Sequence, residues 1–277
     1  MQIRVARHAG VCYGVERALE LAEEAAGSGK VVRTLGPLIH NPQAVAALKE
    51  RGVEVAVCLD EADDGTLVIR SHGVDPAIIE AARAKGLDVV DATCPFVSKA
   101  HDAARELQAA GYAVVIVGEA DHPEVEGISA HAGGHAIIVQ TPEELPERFS
   151  NRRIGVVVQT TQSADRLAAV VQAVLPRVAE LRVFNTICSA TAKRQLSAEE
   201  LAREVDVMVV VGGHNSGNTT RLAEICLRVN PRTHHVETSD ELDPAWFATA
   251  TVVGVTAGAS TPDAQMAGVI AAIESLG

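Results

Sequence analysis

Aromatic residues are scarce in this 277-residue chain, where they make up 3% of the sequence and include a single tryptophan. Proteins that bind single-stranded nucleic acid stack its bases on aromatic rings, so this class of ligand is not expected. Basic residues are also in the minority: 24 lysines and arginines face 36 acidic residues, and the net charge is −12. No run of Lys or Arg offsets this charge, which disfavours binding to nucleic acid or to anionic membranes.

Long apolar runs and closely spaced cysteine pairs are missing as well. No apolar stretch reaches the ~18–20 residues that span a bilayer, and the first residues lack the apolar core of a signal peptide. We therefore expect a cytoplasmic protein without a membrane segment. Its five cysteines are too few and too scattered for a disulfide framework. In a reducing compartment such thiols are core residues, reactive groups or metal ligands.

Short Val- and Ile-rich runs alternate with amphipathic segments along the whole chain. This pattern predicts an α/β fold with parallel sheets that helices cover on both faces. The predicted strands are 31–35, 53–58, 67–70, 87–91, 112–117, 136–139, 154–158, 183–184, 207–211 and 251–255. The predicted helices are 14–26, 42–50, 76–84, 97–109, 163–174, 192–204, 219–228 and 262–275.

Nearly every predicted strand is followed by Gly together with His, Ser, Thr, Asn or Cys. Because ligands bind at the carboxyl ends of parallel strands, these loops predict a cavity lined by neutral donors and helix N-termini. Such a lining can bind an anion such as diphosphate without many basic side chains. The same residue types are common in ordinary caps and turns. Their recurrence after eight strands favours a site.

The cysteines fall into two groups. Cys58, in a predicted strand, and Cys226, on the apolar face of a predicted helix, have the context of core residues. Cys12, Cys94 and Cys188 lie in loops, roughly one in each third of the chain. Three thiolates of this kind could share an iron–sulfur cluster, which tolerates distant ligands and would keep one open iron. A zinc site, which usually draws on close pairs, and three unrelated thiols are the alternatives.

The segment His122-Pro-Glu124-Val-Glu126-Gly is predicted to be a loop that places an imidazole near a carboxyl group. If burial raises the pKa of Glu124, this group can deliver a proton. Glu126 is explained equally well as an acidic residue at a helix N-terminus. Structural roles are expected for His101 and Trp246. Surface positions are expected for His8, His131, His135, His234 and His235.

Nine motifs in this order resemble the 4-hydroxy-3-methylbut-2-enyl diphosphate reductase family, which ends the methylerythritol phosphate route to isoprenoids. The match spans essentially the whole chain. The motifs are Gly10-Val-Cys12-Tyr-Gly14, His40-Asn41, Ser71-His72-Gly73, Asp91-Ala-Thr-Cys94-Pro95, His122-Pro-Glu124-Val-Glu-Gly127, Gln159-Thr160-Thr161, Ile187-Cys188, Asn215-Ser216 with Asn218, and Thr256-Ala-Gly-Ala-Ser260 with Pro262-Asp263.

The resemblance implies three small α/β lobes in a trefoil around a central cluster and cavity. We place these lobes at 13–95, at 96–187, and at 188–277 together with 1–12. It also implies a 4Fe-4S cluster, whose metal ligands are Cys12, Cys94 and Cys188 and whose fourth iron is open to substrate. The implied electron donor is a ferredoxin or a flavodoxin.

The implied reaction is the reductive dehydroxylation of the substrate to isopentenyl and dimethylallyl diphosphate plus water, with two electrons. Glu124 leads the proton relay, Thr160 orients the substrate hydroxyl, and His122 supports the catalysis. The residues implied to contact the substrate, chiefly its diphosphate, are His40, His72, His122, Thr160, Ser216, Asn218 and Ser260.

The chain departs from the family pattern at three positions. Gly217 stands where the family often has a second Ser, and Ser189 and Val11 stand where aromatics are frequent, which bears on substrate affinity. Two other functions fit parts of the pattern. One is a non-redox iron–sulfur dehydratase of a small phosphorylated substrate, and the other is a zinc-stabilised binding scaffold.

Overall fold

Three four-stranded sheets, all with parallel pairing, form the framework of the chain in a computed structural model that describes residues 1–276. The strands are β1 (Gln2–Val5), β2 (Val32–Leu35), β3 (Val53–Ala56), β4 (Thr66–Ile69), β5 (Asp88–Asp91), β6 (Ala113–Val117), β7 (Ile137–Val139), β8 (Arg153–Val158), β9 (Glu180–Phe184), β10 (Val207–Val211), β11 (Thr233–Val236) and β12 (Val252–Ala257). The predicted parallel α/β fold is confirmed.

α-Helices connect most pairs of consecutive strands, and α9 follows the last strand. They are α1 (Tyr13–Ala26), α2 (Pro42–Glu50), α3 (Pro76–Ala84), α4 (Pro95–Ala109), α5 (Pro123–His131), α6 (Ala164–Val174), α7 (Ser189–Ala202), α8 (Gly217–Val229) and α9 (Asp263–Ser275). Proline takes the first position of four of them, where its missing N–H costs nothing. Within residues 1–276, no helix has both the length and the apolarity needed to cross a membrane.

The three sheets repeat one strand order. The first sheet is ordered β3-β2-β4-β5, the second β7-β6-β8-β9, and the third β11-β10-β12-β1. In each, the second strand lies on one side of the first strand and the third strand lies on the other. The order in which strands are added therefore reverses between the first and third strands. Open parallel sheets bind ligands at this position.

Burial follows this order. The third strands β4, β8 and β12 are almost entirely buried, and so is β10. The fourth strands β5, β9 and β1 are edge strands with several exposed positions. Apolar side chains of α4 and α5 pack on one face of the second sheet and those of α6 on the other. The cores hold the strand ends, and with them the loops, in fixed positions.

The chain divides into two compact units. Unit 1 comprises Met1–Glu16, His40–Val45 and Ser189–Gly277, and it contains the third sheet. Unit 2 comprises Arg17–Ile39 and Ala46–Cys188, and it contains the first and second sheets. Each sheet draws its strands from one of the three predicted lobes. The boundaries of these lobes stay a prediction.

Some elements differ from the sequence-based expectation. The strands β1 and β11 were not predicted, because their polar residues mask the apolar signal of a strand. The segment after His122 is not a loop: it begins α5, so that Glu124 lies in a first helical turn. Three histidines expected at the surface are half-buried: the rings of His131 and His234 stack on His101 and Trp246, and Nε2 of His235 lies 2.9 Å from the carbonyl oxygen of Gly212.

Candidate active site

All predicted substrate-binding residues follow the first or the third strand of a sheet. They therefore lie at the three points where the strand order reverses, which is the expected ligand-binding position of such sheets. His40 follows β2 and His72 follows β4; His122 follows β6 and Thr160 follows β8; Ser216 and Asn218 follow β10 and Ser260 follows β12.

Glu124 and Thr160 form a direct contact across the end of the second sheet. The carboxyl group of Glu124 accepts a 2.6 Å hydrogen bond from the backbone N–H of Thr160 and a 2.9 Å bond from its hydroxyl group. Glu124 is 2% exposed and Thr160 is 5% exposed. The fold thus brings together two residues that the sequence separates by 36 positions.

Burial changes the acidity of this carboxyl group. Desolvation raises the pKa of Glu124 from 4.5 to about 7, although the two hydrogen bonds from Thr160 lower it, and the negative charge of Glu119 raises it further. A group with a pKa near neutrality can hold and release a proton at physiological pH. The burial on which the sequence-based expectation depended is present in the structure.

His122 precedes Glu124 and caps the same helix. Its Nδ1 accepts a 3.1 Å hydrogen bond from the backbone N–H of Glu124, so the ring is fixed at the N-terminus of α5. The ring of His72 packs edge-on against it, with ring centroids 5.5 Å apart. Unit 2 therefore gathers His72, His122, Glu124 and Thr160 at neighbouring strand ends.

In unit 1, the loop after β10 leads into the N-terminus of α8. Ser216 caps this helix through its hydroxyl group, which accepts a hydrogen bond from Thr219. Both polar atoms of the Asn218 side chain are buried and have no hydrogen-bond partner within residues 1–276, and the same holds for the hydroxyl groups of Thr219 and Thr256. Buried polar groups are normally paired, so the amide group of Asn218 is a candidate to bind a polar ligand. No individual role was predicted for Thr219 or Thr256.

Gly217, where the family often has a second Ser, is the first residue of α8. Gly217 adds no hydroxyl group, but the N-terminus of α8 remains available, and helix N-termini attract anions.

Ser260 and Asn41 each form a hydrogen bond with a backbone group nearby. The hydroxyl group of Ser260 donates a 3.0 Å hydrogen bond to the carbonyl oxygen of His40, and the side chain of Asn41 accepts one from the N–H of Ala44 at the start of α2.

Each of the three loop cysteines follows the fourth strand of a sheet and immediately precedes a helix. Cys12 lies between β1 and α1, Cys94 between β5 and α4, and Cys188 between β9 and α7. The backbone N–H of each donates to the loop after the third strand of the same sheet: Cys12 to Ala259, Cys94 to Ser71 and Cys188 to Thr160. The three cysteines are thus equivalent positions of one repeated unit.

The other two cysteines have different surroundings. Cys226 is buried in α8, where desolvation raises its pKa to about 12, as expected for a core residue. Cys58 is exposed and follows the end of β3, so the prediction that it is a core residue is wrong. It was assigned to the interior because the strand was expected to continue to position 58, whereas β3 ends at Ala56.

Comparison with known proteins identifies similar sequences along the whole chain. The family described as "LytB protein" matches residues 3–274. The 4-hydroxy-3-methylbut-2-enyl diphosphate reductase of Pelobacter propionicus is 55% identical over 262 residues, which cover 95% of this chain and 94% of the relative. The enzyme of the same name from Geotalea daltonii is 51% identical over 276 residues, covering 100% of this chain and 98% of the relative.

Solved structures are also similar to this chain over nearly its whole length. A structure of "(E)-4-hydroxy-3-methyl-but-2-enyl diphosphate reductase, the terminal enzyme of the non-mevalonate pathway" is 47% identical, covers 99% of both chains and has a TM-score of 0.73. The E-1-hydroxy-2-methyl-but-2-enyl-4-diphosphate reductase from Plasmodium falciparum is 26% identical, covers 98% of this chain and 87% of the other, and has a TM-score of 0.91.

Proposed function

The chain belongs to the LytB protein family, and from that membership we propose that it reduces 4-hydroxy-3-methylbut-2-enyl diphosphate to isopentenyl and dimethylallyl diphosphate. In this reaction the carbon–oxygen bond of the allylic alcohol breaks, and the oxygen leaves as water. Two electrons and two protons are consumed. A single new carbon–hydrogen bond forms, at one end of the allyl unit or at the other, which gives the two products. The enzyme must therefore bind a diphosphate, protonate a hydroxyl group and receive electrons.

Proton delivery to the leaving hydroxyl group is assigned to Glu124. The observation that carries this assignment is its burial, which raises its pKa to about 7 although the hydrogen bonds from Thr160 lower it. The protonated form is then abundant at neutral pH and can donate as the carbon–oxygen bond breaks. The hydroxyl group of Thr160, 2.9 Å from Glu124, orients the substrate alcohol, and His122 and His72 complete this part of the site.

Diphosphate binding is assigned to His40, Ser216, Asn218 and Ser260 of unit 1, and His72 and His122 are assigned to substrate contacts in unit 2. Asn218 offers an unpaired buried amide group, and Ser216 and Ser260 add hydroxyl groups beside the N-terminus of α8 and the His40 loop. These donors are neutral, and helix N-termini complement negative charge. Anchoring the diphosphate lets a small substrate present its hydroxyl group in one place.

The family uses an iron–sulfur cluster, and we assign its ligands to Cys12, Cys94 and Cys188. Their chemistry fits the group: all three are free thiols, and each directly precedes the N-terminus of a helix, which attracts the negative charge of thiolate ligands and sulfides. Three such ligands fit a 4Fe-4S cluster. When bound, this cluster would supply electrons one at a time and a Lewis-acidic iron that has no cysteine ligand. A ferredoxin or a flavodoxin is the proposed electron donor.

Turnover under anaerobic conditions tests this function. The protein is reconstituted with iron and sulfide, supplied with the substrate and a reduced flavodoxin, and the products are identified by mass spectrometry. We expect both isoprenoid diphosphates, in amounts that match the electrons consumed. Conversion without a reductant would instead indicate the non-redox dehydratase. A colourless, zinc-containing protein without turnover would indicate the binding scaffold.

A further inference from the structure

His101 is a buried histidine for which the proposed chemistry has no use. It lies in the interior of α4 and is 5% exposed. Its ring stacks on the ring of His131, the last residue of α5, with centroids 4.2 Å apart. His101 therefore packs against the helix that His122 caps and that carries Glu124 in its first turn.

The ring of His101 packs against the backbone of two glycines, Gly73 and Gly127. A methyl group at Gly73 would lie 2.4 Å from Cε1 of His101, and a methyl group at Gly127 would lie 3.0 Å from its Nε2. The Gly127 methyl group would also lie 3.7 Å from the backbone oxygen of His72. Since interiors are close-packed, the imidazole edge fits only against bare backbone. It touches the loop of His72 and the helix of Glu124 at once.

The ring carries no charge into this region. Burial lowers the pKa of His101 to about 3, with smaller contributions in the same direction from His131 and Arg105, while Asp91 opposes them. His101 is therefore neutral at physiological pH, and its contribution to the site comes from its shape rather than from its charge.

We propose that His101 is a positioning residue, whose ring sets the spacing between the loop that carries His72 and the helix that carries His122 and Glu124. This inference rests on the function proposed for those residues. A displacement of α5 by a few tenths of an ångström changes the two hydrogen bonds between Glu124 and Thr160. Because those bonds hold the carboxyl group in place, its orientation and its proton affinity change with them.

Gly127→Ala tests the proposal with one methyl group. In a helix, alanine is favoured over glycine by about 1 kcal/mol, so any harm comes from the contact with His101. We expect kcat to fall by about tenfold or more, since small misplacements of catalytic groups are costly, with a smaller change in KM. The matched control is Gly268→Ala in α9, where a methyl group meets nothing within 4 Å, and it should leave kcat and KM unchanged.

A second measurement needs no turnover. The carboxyl stretch of Glu124, assigned by its loss in Glu124→Gln, is followed by infrared difference spectroscopy during a pH titration. We expect Gly127→Ala to raise the midpoint, since weaker bonds from Thr160 no longer lower the pKa of Glu124. Glu119 and His122 are retained in both proteins, so a difference reports a change in position and not a change in the set of titratable groups. Circular dichroism and thermal unfolding show that the variants are folded at the temperature used.

Removal of the ring provides the reciprocal test. In Gly127→Ala/His101→Ala the added methyl group has room, so the double variant should recover part of the kcat that Gly127→Ala loses. His101→Ala alone should lower kcat and shift the infrared midpoint. Wild-type kcat and midpoint in both single variants, or single effects that simply add in the double variant, would overturn the proposal. If Glu124→Gln were fully active but the midpoint still shifted in Gly127→Ala, the proposed role of Glu124 would be wrong and the spacing role of His101 would stand.

Discussion

The second and third sheets have the same strand order, but the loops at their reversal points carry different chemistry. In the third sheet these loops present neutral groups, Ser216, Asn218 and Ser260, beside a helix N-terminus. In the second sheet they present a carboxyl group, Glu124, whose pKa burial raises to about 7. A diphosphate needs donors without negative charge, whereas a proton donor needs a weakly acidic group. We propose that one backbone arrangement serves both tasks, and that the side chains alone separate them.

The largest effect is expected from removing the proton at the second sheet. Glu124→Gln keeps the size of the side chain and can still accept the bond from the N–H of Thr160, but it has no acidic proton. We expect kcat to fall by about 10²–10⁴-fold, the usual contribution of a general acid, with KM nearly unchanged. Steady-state kinetics under anaerobic conditions, with cluster content measured by absorbance, make this comparison. Wild-type kcat in the variant would remove the chemical distinction between the two sheets.

The corresponding change at the third sheet should affect binding instead. Asn218→Asp preserves shape but places a negative charge among groups assigned to the diphosphate, and we expect KM to rise by about tenfold to a hundredfold with kcat largely retained. The control Asn151→Asp adds the same charge in the loop before β8, where Oδ1 still accepts from the N–H of Arg153 and only the bond from Nδ2 to the carbonyl oxygen of Gly111 is lost. A lower kcat with unchanged KM in Asn218→Asp would show that the two sheets do not divide the work in this way.

A smaller effect concerns stability. Folding raises the pKa of Glu124 from 4.5 to about 7, so the folded protein binds more protons than the unfolded chain between these values. The unfolding free energy should therefore decrease as pH rises through this window, by about 3 kcal/mol from this group. Glu124→Gln should lose that part of the pH dependence. Urea unfolding of both proteins at about pH 5 and about pH 8 measures it, and equal pH dependence would mean that the carboxyl group titrates normally.

Much of this framework could be predicted from the sequence because buried parallel strands consist of nearly continuous apolar residues. The helix α5 was missed, since Pro123, Gly127 and Ser129 give its short sequence a weak helical signal. The edge strands β1 and β11 were missed because polar and apolar residues alternate in β1, and three of the four residues of β11 are Thr or His. Strand order is set by packing between distant segments, so the sequence could not reveal that the candidate residues share the reversal points.

The candidate residues themselves could be named in advance, but their partners could not. The pKa of Glu124 was expected to rise only if the group was buried, and burial depends on the cores of α5 and β8. The orphaned amide group of Asn218 and the contact of His101 with two glycines depend on distances of a few ångströms. Motifs identify residue types at fixed spacings, whereas these features arise only when separate elements pack together.

The smallest expected effect distinguishes positions within the repeat. Cys188 follows the fourth strand of its sheet and precedes a helix of 14 residues, whereas Cys58 follows the second strand of its sheet and precedes a three-residue 3₁₀ helix. Cys58 also lines an open cavity of about 360 Å³ with Arg70 and Glu126, so its thiol group is not at an equivalent position. We expect Cys58→Ser to leave the visible absorption of the reconstituted protein unchanged, while Cys188→Ser loses it. Loss of colour in Cys58→Ser would show that the place of a cysteine in the repeated strand order does not decide which thiol groups bind iron.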